Sequence, residues 1–173
     1  MDFTILTDND LPAKEVREYW VALQEADLLR YRLCGIQDPG WLDVFNMLNA
    51  KRSNIYYMVT DVEGIVGEFE LESIAGAAFA VHFSFHPTKL TIRQKLRVGR
   101  ATCNRVLTHW KNDTGGRYAA TLIGLLPIVN KAGIRFAEKV GFTNIGVLPS
   151  AQQFNGSLTD AQFMLMSTGE YHG

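Results

Sequence analysis

The sequence contains little cysteine: Cys34 and Cys103 are two residues among 173, and their spacing is not that of metal ligands. So few thiols argue against a disulfide framework or a zinc site, and they suit a reducing compartment. The sequence also lacks an N-terminal signal segment and any apolar run long enough to span a bilayer. We therefore expect a cytoplasmic protein that binds no metal and does not enter membranes.

The sequence has almost no net charge, −1 at neutral pH, which argues against a general nucleic-acid or anionic-membrane binder. Its charges are unevenly distributed, because no Asp or Glu occurs between Glu72 and Asp113. The basic residues in that interval are Lys89, Arg93, Lys95, Arg97, Arg100, Arg105 and Lys111. They indicate either solvated helix faces or a site for a polyanionic ligand. Few aromatic residues interleave with them, so nucleic acid is not the expected ligand.

The length of 173 residues and the hydrophobic content of 47% suit a single domain, 1–173, with a sizeable core. Periodicity and turn signals predict the order β-α-α-β-β-β-α-β-α-β-β, a mixed α/β arrangement of layers. Strands are predicted at 3–7, 55–60, 65–72, 77–86, 118–126, 145–148 and 161–166, with a polar loop at 151–159. Helices are predicted at 14–29, from Trp41 onward, in the basic stretch after Pro87, and from Asn130 to Gly141.

Two neighbouring predicted strands each carry polar side chains on one face. These side chains are Glu68, Glu70 and Glu72 on the first strand, and His82, Ser84 and His86 on the second. If the strands form a hairpin with Glu72 opposite Ala78, Glu68 lies beside His82. A carboxylate beside an imidazole suits proton transfer. The same residues are also compatible with a solvated sheet face and an ordinary strand histidine.

The stretch from Arg117 to Thr143 predicts a buried strand, a break at Pro127 and a short helix. Asn130 suits the N-cap of that helix, and Gly141 suits its C-terminal stop. A strand that feeds a helix through a capped loop can offer backbone N–H groups to a ligand. The junction is therefore a predicted binding site.

The order of elements and the sequence NKAGIRFAEKVGF at 130–142 resemble the GNAT superfamily of acyl-CoA-dependent N-acetyltransferases. The resemblance covers most of the chain from Ile55 onward. With its HFSFHP strand, the sequence looks closest to small GNAT-like proteins of tailed bacteriophages. The resemblance implies a central mixed β-sheet, splayed between two strands and flanked by helices on both faces. It also implies that acetyl-CoA binds between the strands ending at His86 and Leu126, with an amine-bearing small molecule or protein as acceptor.

The resemblance further implies that the pyrophosphate of acetyl-CoA meets N–H groups at the start of the long basic helix. The family's phosphate loop, R/Q-x-x-G-x-G/A, aligns best with residues 96–101, where glycine permits close backbone approach. The implied cofactor-binding residues are Phe85, His86, Arg97, Val98, Gly99, Arg100, Ala101 and Asn130. An alignment without an insertion places Leu90 to Lys95 there instead and contains no glycine.

The expected catalytic residues are Glu68, His82 and Ser84. Glu68, or His82 oriented by Glu68, would remove the amine proton directly or through water, and Ser84 and His86 would line the amine side. Many family members protonate the leaving thiolate with a Tyr, and the corresponding position here is Ala137. Tyr118 and Tyr171 are substitutes by residue type alone.

Two functions therefore remain open from the sequence. One is an acetyl-CoA-dependent N-acetyltransferase acting on an amine. The other is a GNAT-fold binding or assembly module without catalysis, encoded by a phage and associated with a virion or host protein. The sequence also leaves a homodimer open.

Overall fold

A computed structural model of the protein describes residues 2–49, 54–111 and 119–168. The strands are β1 (Thr4–Thr7), β2 (Asn54–Thr60), β3 (Gly64–Ala75), β4 (Ala78–Phe85), β5 (Thr121–Pro127), β6 (Thr143–Phe154) and β7 (Ser157–Ser167). The helices are α1 (Ala13–Glu25), α2 (Leu29–Arg32), α3 (Trp41–Asn49), α4 (Ile92–Thr108) and α5 (Lys131–Val140), with a 3-10 turn at Asp8–Asp10. This order confirms the predicted mixed α/β fold class, although the first predicted helix is divided into α1 and α2.

The described strands form one sheet in the order β1-β2-β3-β4-β5-β7-β6. Neighbouring strands are antiparallel except β4 and β5, which are parallel because the α4 crossover connects them. Ala78 to Ala80 pair with Thr121 to Ile123, and beyond these three positions the two strands separate. The sheet is therefore splayed between β4 and β5, as the resemblance implied.

Helices cover both faces of the sheet, because adjacent strand residues point to opposite sides. Met58 and Val66 belong to a hydrophobic core shared with α4 and α5. Tyr57 and Ile65, their neighbours in sequence, belong to a second core shared with α1, α2 and α3. Among the described residues, no helix is long and apolar enough to cross a membrane.

The β3–β4 hairpin has a register two residues away from the predicted one. Glu70 lies opposite His82, and Glu68 lies opposite Ser84, so the prediction that Glu68 lies beside His82 is wrong. The strand β3 continues to Ala75 through a pairing irregularity, and a tight turn with Gly76 at φ +56 follows. A shift of two residues keeps each side chain on its own face, so the carboxylates and the imidazole still share a surface.

The predicted polar loop at 151–159 is a β-hairpin. Strand β6 continues to Phe154, and β7 begins at Ser157. Asn155 and Gly156 form the turn, with φ values of +48° and +75° that suit Asn-Gly in a two-residue hairpin loop. Polar composition alone gave the wrong prediction because β6 is an exposed edge strand, whose side chains do not need to be apolar.

Candidate active site

The separation of β4 from β5 opens a cleft of about 600 Å³ in the sheet. Residues 81–84 of β4 and 124–127 of β5 form its two walls. Helix α5 closes one side, where Asn130, Phe136 and Ala137 line the cleft. Residues 31–36, at and after the end of α2, close the other side. The cleft therefore occupies the region that the resemblance assigned to acetyl-CoA and its acceptor.

Asn130 caps α5, as the sequence predicted, and it also lines the cleft. Its Oδ1 accepts a hydrogen bond from the Gly133 N–H at 2.9 Å, which leaves the Nδ2 group for another partner. A Cβ at Gly133 would lie 2.6 Å from Asn130 Nδ2, so this glycine makes room for the cap. The helix ends at Gly141, whose φ of +127° is unfavourable for other residues.

Ala137 is 9% exposed and lines the cleft, so the position of the family's proton donor faces the site but carries only a methyl group. Tyr118 and Tyr171, the substitutes considered from sequence, lie outside the described residues. Tyr31 lines the cleft from the opposite side. Sequence reasoning missed Tyr31 because nothing in its local pattern indicates that the short α2 helix reaches the cleft.

Arg32 of α2 contacts two carboxylates of β3 in the interior. Its Nε donates to Glu68 Oε1 at 2.9 Å, and its Nη2 donates to Glu70 Oε2. Burial alone would lower the pKa of Arg32, but the two carboxylates raise it, so the guanidinium stays charged. No local pattern indicates this contact, since it joins residues that are far apart in the chain.

Glu68 is 0% exposed and does not line the cleft. Burial raises the pKa of its carboxyl, while Arg32 and Ser84 act in the opposite direction. Its second oxygen, Oε2, is buried without a hydrogen bond of standard geometry from the described residues. Glu68 is therefore behind the residues that line the cleft, and its predicted catalytic role stays a prediction.

His82 and Ser84 of β4 both line the cleft. Burial lowers the pKa of His82 to about 4, assisted by Arg32 and opposed by Glu70, so its imidazole is neutral at neutral pH. The main-chain oxygen of Ser84 accepts a hydrogen bond from the Tyr19 hydroxyl at 3.0 Å, which ties β4 to α1. The structure thus brings His82 and Ser84 together on one wall.

Phe85 and His86 follow on β4 but do not line the cleft. The Phe85 ring stacks on Phe83 and makes an edge contact with Phe136 of α5. The His86 N–H donates to the Val66 oxygen, and burial with nearby lysines lowers the pKa of its imidazole. Their position near the end of β4 agrees with the resemblance, whereas a direct contact with the cofactor stays a prediction.

The predicted phosphate loop at 96–101 is wrong, because these residues lie within α4. The helix begins at Ile92, where Thr91 and Gln94 form a reciprocal capping box. Val98 and Gly99 are buried, and a Cβ at Gly99 would lie 2.9 Å from Phe136 Cζ and 3.1 Å from Val140 Cγ2. Gly99 therefore permits close packing of α4 on α5, and its backbone is engaged in the helix.

Helix α4 begins at Ile92, within the residues Leu90 to Lys95 that the alignment without an insertion assigned to the phosphate loop. The first N–H groups of a helix have no partner within the helix, so those of Ile92 and Arg93 are available to an anion. The Nζ of Lys95 approaches the Pro87 oxygen at 3.4 Å, and burial lowers the pKa of this amine. Lys89 holds the preceding loop on β3 through the Ile65 oxygen at 3.1 Å.

The remaining predicted cofactor residues lie on the exposed side of α4. Arg97, Arg100 and Ala101 border a shallow hollow, together with Arg93. The Arg100 Nε donates to the Lys139 oxygen at 2.9 Å and so joins α4 to the end of α5. This surface is positively charged, but it is separate from the cleft. Among the described residues, no group of three or more His, Cys, Asp or Glu side chains is arranged to hold a metal ion.

No family model matches the sequence, and no curated protein matches it. Solved structures do match. An acetyltransferase of the GNAT family from Bacillus anthracis aligns with a TM-score of 0.71 at 14% identity, covering 96% of this chain and 95% of that one. A ribosomal-protein-S5-alanine acetyltransferase from Vibrio fischeri gives 0.69 at 12% identity, covering 99% and 94%. A spermidine N-acetyltransferase from Vibrio cholerae, in complex with CoA and spermine, gives 0.67 at 14% identity, covering 99% and 98%.

The mixed sheet of the chain, with helices on both faces, matches the fold of these structures over nearly the whole length of each chain. The chain therefore has the GNAT fold. At 12–14% identity the likeness establishes the fold, and the activity has to be argued from the site. The narrower likeness to bacteriophage proteins stays a prediction.

Proposed function

We propose that the protein is an N-acyltransferase that moves an acetyl group from acetyl-CoA to an amine. The observation that carries the proposal is the cleft between β4 and β5, which is lined by an amide donor on one side and by a neutral imidazole on the other. The amide donor is the Nδ2 group of Asn130, and the imidazole belongs to His82. The GNAT fold of the chain supports the same reaction class.

The donor would bind along the α4 and α5 side of the cleft. Its pyrophosphate would accept hydrogen bonds from the N–H groups at the start of α4, where the helix dipole favours negative charge. Lys95 adds a positive charge close to the same point. Asn130 would donate from Nδ2 to the acyl-bearing arm, because its oxygen is already engaged in the α5 cap.

The reaction needs a deprotonated amine next to the thioester. His82, neutral above a pH of about 4, would accept the amine proton directly or through a water molecule. The amine nitrogen then attacks the thioester carbonyl, whose oxygen is stabilised by an N–H group where β4 and β5 no longer pair. The C–S bond breaks, CoA leaves as a thiolate, and the attacking nitrogen loses its second proton to solvent, which gives the amide. A thiolate leaves readily because the pKa of a free thiol is about 8.5.

Titration of the purified protein with acetyl-CoA tests the donor site. Binding to the folded state raises the melting temperature, and about 2.7 kcal/mol of stabilisation is expected at one hundred times the Kd. Asn130→Ser keeps a good N-cap and loses the amide donor, so it should weaken the shift without lowering the stability of the free protein. No thermal shift at millimolar acetyl-CoA would overturn the proposal.

Release of CoA in the presence of amines tests the chemistry. His82→Ala should lower kcat by about 10²-fold or more, while the thermal shift with acetyl-CoA is unchanged. Glu68→Gln changes a residue outside the cleft and should act more weakly. A thermal shift without CoA release from any amine would instead support the alternative, a GNAT-fold binding module without catalysis.

A further inference from the structure

The half of the cleft opposite α5 is mostly apolar. Its lining side chains from the N-terminal helical layer are Tyr31, Leu33, Cys34, Ile36 and Met47. These residues lie at and after the end of α2 and on α3, so they are outside the part of the chain that carries the proposed donor site. An acceptor bound here would bury its body against hydrocarbon and an aromatic ring.

On the same side of the cleft, the end of α2 and the segment that follows it contact the β6–β7 hairpin. The ring of Tyr31 packs against Phe154 of β6, with the centroids 5.5 Å apart. Gly35 lies next to the Gln153 side chain, because a Cβ built on Gly35 would be 3.1 Å from Gln153 Oε1. Tyr31 also lines the cleft, so these contacts lie next to it.

The charged groups that line the cleft are Arg32, Glu70 and Glu72. Arg32 and Glu70 form a buried ion pair, and the same guanidinium also contacts Glu68. Glu72 is exposed at the cleft wall, and it forms no ion pair with any residue in 2–49, 54–111 or 119–168. Among the described residues that line the cleft, Glu72 is thus the one exposed carboxylate, and it attracts a cation.

Resting on the proposed function, we infer that the acceptor is a small primary amine with one positive charge and an apolar or aromatic body. Glu72 receives the ammonium group, and the wall from Tyr31 to Met47 receives the body. A polyamine would place a second ammonium against apolar walls, where an unpaired charge is costly. A free amino acid would bring its carboxylate close to Glu70 and Glu72, and Arg32 is already occupied by carboxylates.

Initial rates of CoA release with 2-phenylethylamine, hexylamine, spermidine and phenylalanine test this inference. We expect kcat/KM for the two monoamines to exceed that for spermidine and for phenylalanine by about ten-fold or more. A preference for spermidine or for the amino acid would overturn the inference and leave the proposed function intact. If acetyl-CoA binds and no amine releases CoA, the proposed function itself fails, and the inference fails with it.

Two variants separate the charge from the apolar wall. Glu72→Gln should raise KM for 2-phenylethylamine by about ten-fold and leave the thermal shift with acetyl-CoA unchanged, whereas Glu25→Gln on the exposed face of α1 should change neither. Ile36→Glu adds a second carboxylate at a partly exposed lining position and should raise kcat/KM for spermidine relative to the monoamines. Unchanged amine preference in both cleft variants would contradict the inference.

Discussion

Arg32 belongs to a four-residue helix, yet its guanidinium contacts two carboxylates on a buried strand. Removal of one partner from a buried ion pair leaves uncompensated charge and costs about 3–5 kcal/mol. We expect Arg32→Ala to lower the free energy of unfolding by that amount, as measured by urea denaturation.

Arg30 offers a matched control, because it pairs with Asp27 on the surface of the same region. Surface pairs contribute about 0–1 kcal/mol, so Arg30→Ala should have a small effect. A triple variant, Arg32→Met with Glu68→Gln and Glu70→Gln, removes all three charges and should recover part of the loss. Equal destabilisation by Arg32→Ala and Arg30→Ala would contradict this account of the buried cluster.

The pKa of His82 makes the stability of the protein dependent on pH. It lies near 4 in the folded protein, compared with about 6.5 in the unfolded chain. Between these values the unfolded chain binds the proton and the folded protein does not, so stability rises with pH over this interval. We expect a gain of at most about 3 kcal/mol from pH 4 to 6.5, and His82→Asn should lose it.

Urea denaturation at several pH values provides the measurement. The difference between the wild-type curve and the His82→Asn curve isolates this histidine from Glu68, whose raised pKa acts in the opposite direction. His109, which is exposed at the end of α4, supplies a control through His109→Asn. Parallel curves for wild type and His82→Asn would show that His82 is not held neutral by burial.

For Glu68 and His82, the sequence predicts the face of the sheet but not the contacts of each side chain. Alternation along two strands correctly placed their side chains on one face. It could not reveal which glutamate lies opposite His82, because the turn at Gly76 sets the register. Nor could it reveal that Arg32, from the helical layer, donates a hydrogen bond to Glu68.

At the scale of elements, the distance between α4 and α5 depends on Gly99. On an open helix surface, replacing Gly with Ala gains about 1 kcal/mol of helix propensity. Here the added methyl group would meet Phe136 and Val140, so we expect Gly99→Ala to cost about 1–3 kcal/mol. Thermal unfolding provides the measurement, and a second change, Phe136→Leu, should recover part of the loss.

The start of α4 shows why glycine pattern alone misplaced the predicted phosphate loop. The family motif was aligned on Gly99 because it requires a glycine. Thr91 and Gln94, however, have the spacing of a capping box. The capping box determined where the helix begins, and Gly99 serves the packing of two helices. By contrast, Asn130 and Gly141 were placed correctly, because the ends of α5 depend on local chemistry.

At the scale of the whole molecule, the N-terminal helical layer contacts the C-terminal hairpin next to the cleft. Tyr31 from the N-terminal layer and Phe154 from the C-terminal hairpin make the ring contact there. An aromatic pair contributes about 0.5–1.5 kcal/mol, so Phe154→Ala should raise KM for the acceptor by roughly ten-fold or less. The thermal shift with acetyl-CoA should be retained, because the proposed donor site lies on the other side of the cleft.

Steady-state kinetics with 2-phenylethylamine provide this measurement. Phe45→Ala is the matched control, since Phe45 is an exposed aromatic residue of α3 that does not line the cleft. An unchanged KM in Phe154→Ala, or an equal change in both variants, would contradict a role of the Tyr31–Phe154 contact in acceptor binding.

The overall architecture could be predicted from the sequence, because the periodicity and turn signals that indicate it involve many residues. The cleft was readable in outline, from Pro127 and the capped junction at Asn130. Its acceptor side was not readable, since Tyr31, Arg32 and Ile36 reach the site only through tertiary packing. Contacts between distant segments carry no local signature, so this part of the site required the structure.

The parallel pairing of β4 and β5 also bears on the order of events during folding. It comprises three register pairs between segments about 40 residues apart, whereas β2, β3 and β4 are joined by short turns. Closing the long connection between β4 and β5 costs chain entropy, and only a few contacts form in return. We expect the antiparallel meander to form early and the β4–β5 junction late, so the walls of the cleft come together only near the end of folding.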